Sequence, residues 1–394
     1  MEEWKLTKIG SICKKVCSGG TPKSTVKEYY GGGIPWLNTK EVHFNRIYST
    51  ESTITDKGLN NCAAKWIEAN AVIIAMYGAT AAKCAIGMIP MTTNQACCNL
   101  MIDKKKADYR FVYYAIANSY SILASLANGG AQQNLNAQVI KDFEILLPSL
   151  VVQKRVADVL STLDDKIECN RRINDNLEQQ AQALFKSWFV DFEPFKDGEF
   201  VESEMGMIPK GWKVGNLFDV AEVLDKYRKP LSGQERDLMD KIYPYYGATS
   251  CMDYVDDYLF DGIYTLIGED GSVVKEDGFP YMQYVWGKLW VNNHAHILQG
   301  KNGFSTEMLH VMLSTTNIRH LVTGAVQAKL SQANMRKIFV AIPSTNVLDE
   351  IKPTFDKLYQ LIRKNEDESR RLAQFRDTLL PRLMSGELKV EAGF

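Results

Sequence analysis

The sequence lacks cysteine pairs at metal-knuckle spacing, a membrane-length apolar run and a surplus of charge. Its eight cysteines are scattered: Cys13 and Cys17 have three residues between them, Cys97 and Cys98 are adjacent, and none forms the CxxC pairs of a zinc site. Free, buried thiols are expected instead. No window approaches the roughly 18 apolar residues of a spanning helix, and MEEWKLTKIG has no basic stretch running into an apolar one, so the chain is expected to be cytoplasmic. There is no GxxxxGK[ST] phosphate loop. With a net charge of −1, the chain is too neutral to hold nucleic acid by phosphate neutralisation alone, so partners would have to supply much of the positive surface.

What the chain does have is two copies of one plan. GGAQQNLNAQVIKDFEILLP, ending at Pro148, matches TGAVQAKLSQANMRKIFVAIP, ending at Pro343, and the offset pairs Gly129 with Gly324 and Leu135 with Leu330. Trp4-Lys5, Ile9 and Ile12 likewise match Trp212-Lys213, Leu217 and Val220. Such a chain suits a target with pseudo-twofold symmetry. With 45% hydrophobic and 24% charged residues it can build two or more cored domains. The charge is uneven: residues 1–148 carry 16 basic against 11 acidic groups, and 149–209 carry 7 against 12.

After each closing Pro the apolar period becomes helical. Val156, Leu160, Leu163, Ile167, Asn170, Asn174, Leu177, Ala181, Leu184 and Trp188 alternate steps of four and three, as do Ile351, Phe355, Leu358, Ile362, Asn365, Ser369, Leu372, Arg376, Leu379 and Leu383. Helices of about 38 residues would each span about 57 Å, too long to bury the stripe on a compact domain. Antiparallel packing would place Asn170 and Asn174 near Ser369 and Asn365 as a register-fixing polar centre; the alternative is asparagines facing solvent on helices docked elsewhere. Pro353 should mark a first turn or a kink. The domain bounds follow: 1–148 globular, 149–190 helix, an acidic Gly/Pro-rich linker at 191–209, 210–345 globular, and 346–394 helix and tail.

The globular parts read as short strands with turn punctuation. AVIIAMYGAT (71–80) is a buried strand running into a glycine turn, and the glycines at 31–33 read as a turn rather than a cofactor cradle. YPYYGATS, YTLIGEDGSV and KLWVNNHAHILQG play the same parts in the second copy.

Taken in order, SGGTP...YYGGGIPWL, GATS...DGIYTLIGEDG, VNNHAHIL, LFKSWFVDFEPF and LLPRLMSGEL resemble the DNA specificity subunits of type I restriction-modification systems over essentially the whole chain. The resemblance implies an α+β fold: two mixed α/β target-recognition domains in tandem, separated by two long helices forming an antiparallel coiled coil. It implies double-stranded DNA with a bipartite asymmetric site as one partner. Two modification (methyltransferase) subunits docked on the helices are implied as others, and whether restriction (nuclease/translocase) subunits join is left open. No cofactor is expected on this chain; S-adenosylmethionine is expected on the methyltransferase.

Base reading requires polar side chains on loops. The candidates are Asn38, Thr39, Lys40, Tyr77, Thr80, Lys83, Asn94 and Gln95 in the first domain, and Tyr246, Thr249, Glu269, Asp270, Asn292, Asn293, His294 and His296 in the second. Each could equally be a turn or capping residue. Gln132, Gln133 and Asn134, with Gln327 and Lys329, recur in both copies, which suits backbone contact better than base choice.

Two other function classes compete. A methylating enzyme would need a glycine-rich cofactor loop and an Asn/Asp-Pro-Pro-aromatic motif, and the sequence has neither. His294 and His296 would share a strand face as metal ligands can, but no cysteine or carboxylate stands beside them by spacing. Asp253, Asp256, Asp257 and Asp261 read as a solvated face without a nearby Lys. A pure coiled-coil scaffold would not need such different polar loops at equivalent places.

Overall fold

In a computed structural model, which describes residues 4–128, 135–324 and 327–390, the opening and closing strings of each copy are hydrogen-bonded to one another. Strand Lys5–Lys8 pairs antiparallel with Glu144–Leu147, with Lys5 opposite Leu147, and strand Lys213–Asn216 pairs with Phe339–Ile342, with Lys213 opposite Ile342. A single helical turn follows each opening strand, Ile9–Ile12 and Leu217–Val220, and its apolar ends are buried. The start of each turn is fixed in the same way: Ile9 N–H donates to Phe143 C=O at 3.0 Å and Leu217 N–H to Ile338 C=O at 2.9 Å. Both sequence offsets are therefore the register of one repeated clip.

The chain divides into two compact units, residues 1–169 with 368–394, and 170–367. The first contains a five-stranded sheet in the order 13–18, 97–102, 71–75, 84–87 and 45–47, and a three-stranded sheet in the order 52–54, 30–37 and 92–93. Its central strand, Ala71–Ala75, is buried at every position, as a near-continuous apolar run requires when both faces are covered. The second contains a six-stranded sheet in the order 221–223, 295–300, 260–268, 282–291, 243–246 and 251–255. The architecture is α+β with mixed sheets.

The long helices run Leu150–Phe189 and Thr345–Met384. Each unit holds part of both, running antiparallel. In the first unit Arg376 Nη1 lies 2.6 Å from Asp164 Oδ1, and Lys166 Nζ lies 3.2 Å from Glu368 Oε2. In the second, Phe185 meets Phe355 edge to face at 6.4 Å. The asparagines are not solvent-facing: Asn170 is 0% and Asn174 5% exposed. Asn365 Nδ2 donates to Asn174 Oδ1 at 2.8 Å, and Asn174 and Asn170 amides donate to the main-chain carbonyls of Ile362 and Asn365 at 3.3 Å. Such bonds are available at one stagger of the helices, so they penalise slippage.

Several expectations require correction. The stripes do bury against the domains: Val156 and Leu160 join the first core together with Leu383, and Ile351, Phe355 and Ile362 the second together with Ala181, so the early turns of one helix and the late turns of the other line each core. Leu163, Ile167, Leu177, Leu358 and Leu372 are half-buried. Pro353 lies beyond the first turn, in a helix continuous from Thr345 to Met384; it is exposed, so water can reach the carbonyl it leaves unbonded. Residues 191–209 are not a bare linker. They contain the hairpin Phe200–Ser203/Gly206–Pro209, and Phe192 and Phe195 pack edge-on against Trp212 at 5.3 and 5.2 Å. Gly31–Gly33 lie within strand Tyr30–Leu37 at a bulge, with Gly31 at φ +77°, where a side chain would be strained.

Candidate functional site

In the first unit the candidate residues converge at the end of strand Tyr30–Leu37. Asn38 caps the following 3₁₀ turn: its Oδ1 accepts from Lys40 N–H at 3.1 Å, and Glu41 Oε1 accepts from Asn38 N–H at 3.0 Å. Thr80 is buried and its hydroxyl donates to Thr39 C=O at 2.9 Å, tying the 77–83 loop to this turn. Asn94 is also buried; its N–H donates to Leu37 C=O at 2.9 Å and its Oδ1 accepts from Ala96 N–H. Asn38, Thr80 and Asn94 are therefore spent on shaping the loops. The groups that face outward are Lys40, Tyr77 and Gln95, with half-buried Lys83 beside them. Lys40 Nζ meets Glu51 at 2.6 Å, Lys83 Nζ lies 3.3 Å from His43 Nδ1, and Gln95 bonds to Thr21, so Thr21 and His43 join a site the sequence reading assigned without them.

The second unit gathers its candidates around the turn between strands Met282–Val291 and Ala295–Gly300. Asn292 is buried: its N–H donates to Tyr246 C=O at 3.0 Å and its Oδ1 accepts from His294 N–H at 2.8 Å. Tyr246 is half-buried, while Thr249, Asn293 and His294 are exposed. His294 and His296 do not share a face. His296 is 1% exposed, with Nδ1 2.6 Å from Asp225 Oδ2 and Nε2 2.7 Å from Leu330 C=O, and so faces no ligand; His294 Nδ1 bonds to Asp270. Gln327 and Lys329 lie on the neighbouring segment, with Lys329 Nζ 3.6 Å from Glu269. Gln132, Gln133 and Asn134 fall outside the described residues.

Asp225, Glu269 and His296 place carboxylate and imidazole atoms within 4.8 Å of one another, a partnership that spacing did not suggest. The donors already present make this an ion network rather than a cation cradle. Arg228 Nη1 lies 2.7 Å from Glu269 Oε2, Gln332 Nε2 donates to Asp225 Oδ2 at 2.6 Å, and a metal there would have to sit beside a guanidinium. Burial pushes the Asp225 carboxyl up, but the His296 hydrogen bond and charge, Ile297 N–H and Arg228 outweigh it and hold the group below its ordinary value. Arg228 is not among the residues the sequence pattern singles out; its local signal is the basic string KYRK at 226–229. Asp253 also has cations beside it, Arg236 at 2.9 Å and Lys241 at 3.1 Å. A Tyr254 N–H bond followed by these two cations lowers its carboxyl to about 2.

The chain therefore presents two loop clusters on differing sheets behind one repeated clip, and comparison with known proteins gives the same duplication. The family described as "Type I restriction modification DNA specificity domain" matches residues 1–179 and again 209–374. The MjaIX type I restriction enzyme specificity subunit of Methanocaldococcus jannaschii is 29% identical over 417 residues, covering 99% of this chain and 94% of that protein. A putative specificity subunit of Haemophilus influenzae is 35% identical over 150 residues, 38% of this chain and 37% of its own. The crystal structure of the type I S subunit of M. genitalium shares the fold, with TM-score 0.54 at 19% identity over 100% of this chain and 97% of that one. With both halves matched and a relative aligned from end to end, the chain belongs to the type I restriction-modification DNA specificity family.

Proposed function

We propose that this chain is the sequence-reading, non-catalytic subunit of a type I complex. Each globular domain reads one half of a bipartite asymmetric DNA site, and the long helices dock two methyltransferase subunits, which carry S-adenosylmethionine. One observation carries the reading: the clip is repeated in identical register, while the outward-facing loop residues differ in chemistry, a Lys/Tyr/Gln set in one unit and a Thr/Asn/His set in the other. Identical loops would suit a palindrome; different ones suit two different half-sites.

The exposed members are the candidates for base contact: Tyr77, Gln95 and Lys40 in the first domain, Thr249, Asn293 and His294 in the second. Replacing residues 1–148 by the matching domain of a relative, with co-expression of a modification subunit and methylome sequencing, tests the reading. One half-site should change and the other persist. A change in both would refute independent readers.

A further inference from the structure

The turn at Asn293–His294 is held more firmly than an exposed turn requires. His294 N–H is capped by Asn292 Oδ1 at 2.8 Å, and its C=O accepts from Glu269 N–H at 2.8 Å. On either side, Asn293 and Ala295 carbonyls accept from Arg228 Nη1 at 3.4 and 2.7 Å. Arg228 is fixed in turn by Glu269, over the buried Asp225–His296 pair. Above this anchored backbone the His294 side chain remains 47% exposed, and its Nδ1 is bound to Asp270, whose side chain is 20% exposed. Asp270 is itself fixed, since the flanking Gly271 N–H and Glu269 C=O bond to Ala328 and Leu330 at 2.9 and 2.8 Å. Backbone and ring plane are thus both fixed at a side chain open to solvent, and Nε2 is the ring nitrogen without a hydrogen bond among the described residues.

We infer that His294 is a specificity-determining residue of the second domain, contacting a base edge through Nε2, and that Asp270 is its positioning residue; this rests on the DNA-reading function proposed above. A carboxylate on Nδ1 holds the proton there, so in the neutral ring Nε2 is an acceptor. Its complement in the major groove is an exocyclic amino group, adenine N6 or cytosine N4.

The test is methylome sequencing of cells carrying the full-length chain with its modification subunit, for the unaltered protein, His294→Ala and Asp270→Asn. His294→Ala should relax the preference at one position of the second domain's half-site by about tenfold or more, the discrimination a good base contact gives. The first half-site and the gap should stay unchanged. Asp270→Asn, whose amide can donate to Nδ1 and so favour the tautomer that carries its proton on Nε2, should alter the preference at that same position. An unchanged motif in His294→Ala, or an even loss of methylation with all base preferences intact, would overturn the inference. If the unaltered protein produces no bipartite motif, the failure lies with DNA reading itself, an outcome distinct from any the variants give.

Discussion

Removing the Arg363 guanidinium should destabilise the second unit severely, and removing its partner's charge as well should restore much of the loss. Glu307 stands at the start of helix Thr306–Ser314 with its side chain 7% exposed, and Arg363 Nη1, from the second long helix, lies 2.7 Å from its Oε1. The Tyr284 hydroxyl donates to the same oxygen at 2.7 Å and also bonds to Arg363. Burial followed by the charge of Glu307 pushes the Tyr284 phenol well up, so it stays a neutral donor across any working pH. Arg363→Met keeps the side-chain length but leaves the carboxylate with a single phenol donor, and breaking a buried pair in this way costs about 3–5 kcal/mol. For a unit of roughly 200 residues, at about 2–4 °C per kcal/mol, the melting temperature should fall by about 6–20 °C. Glu307→Gln in the same chain removes the stranded charge and retains an acceptor for Tyr284, so the double variant should recover about 2 kcal/mol or more. The assay is a double-mutant cycle in chemical denaturation, with hydrogen exchange of residues 306–314 reporting on this unit specifically. An Arg363→Met chain within about 1 kcal/mol of the original, or a double variant whose losses simply add, would show that the pair is not what locks the reader to its helix.

Three other outcomes are expected. The His310 ring is half-buried between Tyr284 and Tyr359 with Nδ1 2.5 Å from the Thr265 hydroxyl, and desolvation lowers its pKa to about 4 from 6.5; the unfolded chain therefore takes up the proton first, and the second unit should lose up to about 3 kcal/mol as pH falls from about 6.5 to 4, a slope that His310→Gln should abolish in pH-dependent denaturation. In maleimide labelling of the native chain Cys169 and Cys251 are exposed and should react, while Cys84, Cys97 and Cys98, buried thiols raised by desolvation, should react only on unfolding; fast labelling of Cys97 would contradict the packing. Four residues inserted after Ile167, matched by four after Ser369, should lengthen both helices by about 6 Å, and methylome sequencing should show the same half-sites about two base pairs further apart; changed bases at an unchanged gap would refute the helices as the spacing element.

The duplication and the long helices are legible in the amino-acid order alone, whereas the pairing of each opening strand with its closing strand is not. Each legible feature rests on local periodicity or on a repeat offset: the spacing of Leu160, Ile167 and Leu177 is helical whatever surrounds it, and Trp4-Lys5 recurs as Trp212-Lys213 just as Pro148 recurs as Pro343. Where the polar loops fall was also legible, because turn residues cluster there. What each polar residue does within them was decided only by tertiary structure. Asn292 and Asn293 are the same residue type at adjacent positions, yet the first is buried as a cap with its N–H on the Tyr246 carbonyl of a strand distant in sequence, and the second is exposed. His294 and His296 are two positions apart, and only the approach of Asp225 and Leu330, 71 and 34 residues away from His296, makes one a buried ion-network member and leaves the other open to solvent. The stripes divide for the same reason. Periodicity shows that a helix face is apolar, but whether it meets a sibling helix or its own domain depends on how far that domain's surface extends along it, a property of the folded core and not of the helix.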